Sequence, residues 1–248
     1  MTAVGAADAA AVAGQMRAVR YGGATITFEL VPADRATLEI AVLPDGAVMV
    51  RAPRDAREDD VVARVARRAR WILRQQRYFA QFQPRTPPRR YVGGETHLYL
   101  GRQYRLAVEE GDVDDVRLIA GWFRVTVAGD PSPERVQTLL VAWYTEKARH
   151  RLAERLDVCW QWFPAKGLKR PMLSLRRMRT RWGSMSAAGT LSLRPDLVRA
   201  PRECIDYVII HELCHLVHAD HGPEFRALLE RVLPDWEQRK HRLELAMA

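Results

Sequence analysis

Residues 207–216 read YVIIHELCHL. Val208-Ile209-Ile210 is an apolar lead-in of the kind a fold buries, and two histidines follow at i and i+4, His211 and His215. On a helix these positions stand one turn apart on one face, so both imidazoles can meet at a single point. Glu212 lies about 100° further round the axis, where its carboxylate can reach a water beside that point without occupying it. Two imidazoles and an adjoining carboxylate at this spacing suit one metal ion and an activated water, the pattern HExxH. A fold carrying this segment must bury one helix yet leave a patch of it open. Pro201 marks the helix start, and the helix is expected to run to about His218.

An open catalytic metal site takes three protein ligands and leaves a fourth position free. Four of the 7 histidines fall between residues 211 and 221. His221 is the preferred third ligand. Ala219-Asp220 can turn the chain after the helix, and Gly222-Pro223 can open the next one. His218 competes, but it lies further along the helix axis, where three helical ligands rarely converge. Three imidazoles favour Zn²⁺. In this arrangement Glu212 is the general base, and Cys214, on another face, is a core thiol.

The chain has 248 residues, 48% of them hydrophobic, with no apolar run near the ~18 residues of a membrane span. Three cysteines without a CxxC give no disulfide framework, which points to a cytoplasmic location. The Ala-rich N-terminus has no basic n-region and reads as a loose tail over residues 1–19. The net charge of +9 suggests a polyanion partner such as nucleic acid. Yet the basic residues are 35 Arg and only 4 Lys, a skew that codon bias produces, so nucleic acid is the lesser reading.

Residues 24–31, 37–43 and 47–52 alternate apolar and polar side chains and read as short antiparallel strands, the last two joined by Pro44-Asp45-Gly46. A helix is predicted over 58–82, with Val61, Val65, Ala69, Ile72 and Phe79 inward and Arg64, Arg67, Arg68, Arg70, Arg74 and Arg77 outward. The arginines read as a solvated face in preference to a nucleic-acid stripe. QPRTPPRR (83–90) is a stiff linker, so residues 20–90 form an N-terminal subdomain and 91–248 a second domain. Further strands are expected at 91–92, 97–100, 102–108, 116–120 and 122–127, then a helix over 133–163. Two strands are expected within 172–193, followed by helices opened by Pro201, Pro223 and Pro234. Strands and helices in that order give an α+β class.

Four segments together carry a resemblance: RTRWGSMS (179–186), LSLRPDLVRAP (191–201), YVIIHELCHL (207–216) and HGPEF (221–225). With weaker matches upstream, the chain over roughly 20–245 resembles the YgjP-like metallopeptidases, relatives of the SprT-like and WLM zinc proteases. The resemblance implies a zincin-like core. It also implies zinc on His211, His215 and His221, Glu212 as base, and Phe225 packing the helix that follows. The chain departs from the family pattern at Met185, where Cys is usual, at Arg194 and at Arg226. The implied activity is peptide-bond hydrolysis on a protein or peptide substrate. A DNA-associated protease and a non-catalytic zinc module are the alternatives. Trp182 reads as core, and Arg177, Arg179 and Arg181 as one face of a strand.

Overall fold

A computed structural model describes residues 14–83, 86–163, 167–178 and 180–247. The chain divides into two compact units, Met1–Arg85 and Thr86–Ala248.

The first unit is a four-stranded sheet covered by one helix. Its strands are β1 (Gln15–Tyr21), β2 (Ala24–Ala33), β3 (Glu39–Val42) and β4 (Val48–Pro53), in the order β1-β2-β4-β3. Helix α1 (Glu58–Ala80) lays Val61, Val65, Ala69 and Ile72 on Ile26, Phe28 and Val50 of the sheet, and all seven are buried. The acidic first turn Glu58-Asp59-Asp60 suits the positive end of the helix dipole. Two expectations are corrected. The tail expected over residues 1–19 is already strand from Gln15, paired with β2; residues 1–13 lie outside the described residues. The strands are also not all antiparallel, because β2 and β4 run parallel. The β3–β4 hairpin inserts β4 into the middle of the sheet, which is why Val48-Met49-Val50 is buried without alternation.

The second unit is built around one core. Strands β5 (Thr96–Tyr99), β6 (Arg102–Gly111), β7 (Asp115–Ile119) and β8 (Trp122–Ala128) form a sheet in the order β5-β6-β8-β7, with β6 and β8 parallel. Helix α2 (Pro133–Trp162) packs on it through Val136, Leu140, Tyr144 and Ala148. Ser132 caps α2, its Oγ accepting the Arg135 N–H, and Pro133 fills the first turn, where no amide is needed. Tyr91–Val92 is not a strand; Tyr91 has a left-handed backbone, φ 58°.

A second, three-stranded sheet follows: β9 (Met172–Leu175), β10 (Gly183–Met185) and β11 (Thr190–Leu193), in the order β10-β11-β9. The sequence suggested two strands here. The third arises because β9 crosses over to pair parallel with β11, and this leaves β10 at an edge. Arg177 and Arg181 sit between strands and not on one, and Arg179 lies outside the described residues.

A 3₁₀ turn, Pro195–Arg199, leads into α3 (Arg202–Cys214), followed by α4 (Pro223–Val232) and α5 (Trp236–Met247). The β5–β6 turn fixes the start of α3. Leu100 and Gly101 donate their N–H groups to the carbonyls of Val198 and Arg199, both at 3.0 Å. A Cβ on Gly101 would stand 2.8 Å from Cα of Pro201, and φ there is +78°, so only glycine fits. Helix α3 is buried almost all round and packs against α2, α4, α5 and β10. No helix among the described residues is long and apolar enough to cross a membrane.

Candidate metal centre

Helix α3 ends earlier than its sequence suggests. Regular structure stops at Cys214, and His215 is the C-cap. Leu216 and Val217 donate to carbonyls three residues back, tightening the chain into a turn. The turn brings the His218 carbonyl to 3.0 Å from Nδ1 of His215. If Nδ1 carries the proton it donates to that carbonyl, leaving Nε2 as the lone-pair nitrogen. The His218 ring itself stands 3.6 Å from the Glu224 carboxylate.

The chain then folds back through Ala219-Asp220. The Nε2 atoms of His221 and His211 are 3.0 Å apart. One nitrogen from each of His211, His215 and His221 lies within 4.8 Å of the other two. Nitrogens bound to one zinc at ~2.05 Å in tetrahedral geometry stand ~3.3 Å apart, so this donor set fits such an ion with small adjustment. Phe225, at the start of α4, is 2% exposed and contacts all three imidazoles, edge-on to His211 and His221 and tilted against His215, its ring centre 4.7–5.1 Å from theirs. Its role is therefore wider than packing α4. Burial, then the neighbouring His221 and His215, pushes His211 down to about 3. Burial first, then His215 and nearby cations, also lowers His221. Both shifts favour the neutral imidazole, which is the form that binds a metal. Nδ1 of His211 is buried without a hydrogen-bond partner among the described residues.

Glu212 is 7% exposed. Burial pushes its carboxyl up to about 7, against the opposing pull of the Met185 N–H and the Arg181 charge. Met185 belongs to β10, the edge strand, so helix and strand meet at this carboxylate. Gly183 makes the approach possible: a Cβ there would stand 2.8 Å from Cγ of Glu212 and 3.1 Å from Leu193. Trp182-Gly183-Ser184 carries no local turn signal that calls for a glycine. The need for glycine comes from a residue 29 positions later, and no local pattern carries it. Trp182 is half-buried, with the Arg194 guanidinium 4.9 Å from its ring. Cys214 is fully buried in the core and is not among the converging donors.

His211 in the last turn of α3, His215 at its C-cap and His221 returning from beyond it thus converge, with the buried Glu212 carboxylate next to His211 in the chain and in contact with β10. The chain belongs to the YgjP-like metallopeptidases: the model of the YgjP-like metallopeptidase domain matches residues 36–246. A comparison with curated proteins found no match. Among solved structures, the metallopeptidase zymogen abylysin of Pyrococcus abyssi aligns with a TM-score of 0.32 and 23% identity, over 37% of this chain and 87% of its own. The α+β class expected from the sequence is the one observed.

Proposed function

We propose that His211, His215 and His221 hold one zinc ion and that Glu212 is the general base for hydrolysis of a peptide bond. The observation that carries this reading is the convergence of three imidazole nitrogens beside one buried carboxylate. A zinc ion held by these three histidines would lower the pKa of a water toward ~7 and would act as a Lewis acid on the scissile carbonyl. Glu212 takes the proton from the attacking water and passes it to the leaving amine. Burial raises its carboxyl, and a cation beside it would act in the opposite sense. The His218 carbonyl holds the His215 ring in place. Strand β10 lies at a sheet edge beside Glu212, so an extended peptide adds there as a further strand, its backbone bonded to β10. The substrate class is extended or unfolded protein.

A purely structural zinc site would be closed by a fourth protein ligand. Among the described residues the converging group has three histidines and no cysteine. The test is Glu212→Gln, with metal content and peptidase activity measured together. The variant should keep about one zinc per chain and lose activity by roughly 10²–10⁴-fold. His221→Ala should lose the metal as well. Wild-type cleavage by Glu212→Gln would sink the base assignment, and full metal retention by His221→Ala would sink the ligand set.

A further inference from the structure

A cleft of about 380 Å³ opens in the second unit between α2, the turn Pro195–Arg199 and the segment after β9. Tyr91, Gln137, Arg177, Arg194, Asp196 and Arg199 are among the residues that line it, and none of the histidines described above takes part. Three guanidinium groups and one carboxylate line this wall. Asp196 accepts Arg194 at 2.9 Å, while Arg199 stands 3.6 Å away, too far for a hydrogen bond. Arg177 makes no ion pair among the described residues. The wall is therefore left with two uncompensated positive charges.

Two of these guanidiniums are held rigidly. Arg199 lies 4.3 Å from the centre of the Tyr144 ring, and Arg194 lies 4.9 Å from that of Trp182. Nε of Arg199, a residue of the cleft wall, is buried without a hydrogen-bond partner among the described residues. Tyr91 adds a second sign of a built site. Its left-handed backbone, φ 58°, is strained for a residue with a side chain. The Glu95 carboxylate maintains it by accepting the N–H groups of Arg90 and Tyr91, each at 2.8 Å. An adjoining hollow of about 370 Å³ shares Tyr91, Gln137 and Arg199 with the cleft.

We propose that this cleft binds a phosphate group, either free or as the ester of a small molecule whose remainder lies in the adjoining hollow. Guanidinium forks match phosphate oxygens in pairs, and a phosphate near pH 7 carries close to the two negative charges that the wall lacks. A lone carboxylate would neutralise only one of them. The inference does not depend on the reading of the histidines.

The test is calorimetric titration of the metal-loaded full chain at low salt with inorganic phosphate, glycerol phosphate and glutarate. Phosphate or glycerol phosphate should bind, and Arg177→Gln and Arg199→Gln should each weaken binding by about tenfold or more. Arg177 is exposed, so its variant tests the charge without risk to the fold. Tighter binding of glycerol phosphate than of phosphate identifies an ester site, and equal binding identifies a free-phosphate site. The proposal is overturned if glutarate binds as tightly, if both variants bind like wild type, or if neither phosphate compound binds.

Discussion

A methyl group at residue 183 would stand 2.8 Å from Cγ of Glu212 and 3.1 Å from its Oε1. Carbon atoms do not approach so closely, so Gly183→Ala must push the carboxylate away from its place or force β10 outward. A displacement of about 1 Å at a reacting group costs on the order of 10²-fold in rate. We expect Gly183→Ala to fold, bind its metal and lose activity by roughly that factor, as measured by peptidase assay beside metal analysis. Normal activity would mean that β10 yields without disturbing Glu212. His97 supports a second prediction. Its side chain is 3% exposed, and burial, followed by the charges of Arg89 and Arg199, lowers it to about 4. The native state thus holds a neutral ring, whereas the unfolded chain binds a proton below pH ~6.5. The stabilisation is complete above that pH and is lost as pH falls toward about 4. The loss is about 3 kcal/mol at most. Glu95, held low despite its burial by the N–H groups of Arg90 and Tyr91, loses stabilisation in the same direction at still lower pH. Urea unfolding at pH 7.5, 6 and 5 should show a shallower pH slope for His97→Leu than for wild type; equal slopes would remove His97 from the account.

Helix α3 is positioned from one side by a buried ion pair. Arg155 of α2 donates two hydrogen bonds to Asp206 of α3, at 2.7 and 2.8 Å, and Arg239 of α5 stands 4.0 Å away. Asp206 is 4% exposed and five residues before His211. Removing it leaves Arg155 without its partner, but that guanidinium is partly exposed and regains some water. Asp206→Ala should therefore cost about 2–3 kcal/mol, slightly less than breaking a fully buried pair. That corresponds to a fall of about 5–10 °C in Tm. An unchanged Tm would show that packing alone fixes α3. Nothing in the sequence marked this pair, because its partners are 51 residues apart. The helices themselves were legible, since periodicity and Pro or Ser at their starts are local signals. Strand partners were not, because alternation tells which face is buried but not which neighbour is paired. That is how β4 slipped between β2 and β3, and β9 beside β11. Strand β1 was missed for another reason: it is a largely exposed edge with no apolar face to read. The HExxH spacing was legible because its geometry lies within one turn of helix. The early end of α3 was not, although that turn is what brings the His218 carbonyl to His215.

At the scale of the whole molecule the open question is what the charge of +9 is for. Arg64, Arg67, Arg68, Arg70, Arg74 and Arg77 of α1 are all exposed, and none makes an ion pair among the described residues. Arg67, Arg70, Arg74 and Arg77 fall within an arc of about 80°, opposite the buried stripe Val61–Ile72. With ~1.5 Å of rise per residue, these four cations line about 15 Å of one helix face. A membrane surface fits less well, because the apolar face of α1 is already buried on its own sheet. Two readings remain: a solvated face enriched in arginine by codon bias, and a contact to nucleic-acid backbone serving a DNA-associated protease. They differ in their salt dependence. If four arginines neutralise phosphates, the logarithm of the affinity for a random-sequence duplex falls with the logarithm of salt at a slope of about −3 to −4. Replacing Arg67, Arg70, Arg74 and Arg77 by Gln should then abolish most of that slope while leaving cleavage of a free peptide untouched. An unchanged slope in the quadruple variant, or no duplex binding at 50 mM salt, would assign the stripe to solvent and leave codon bias as the source of its charge.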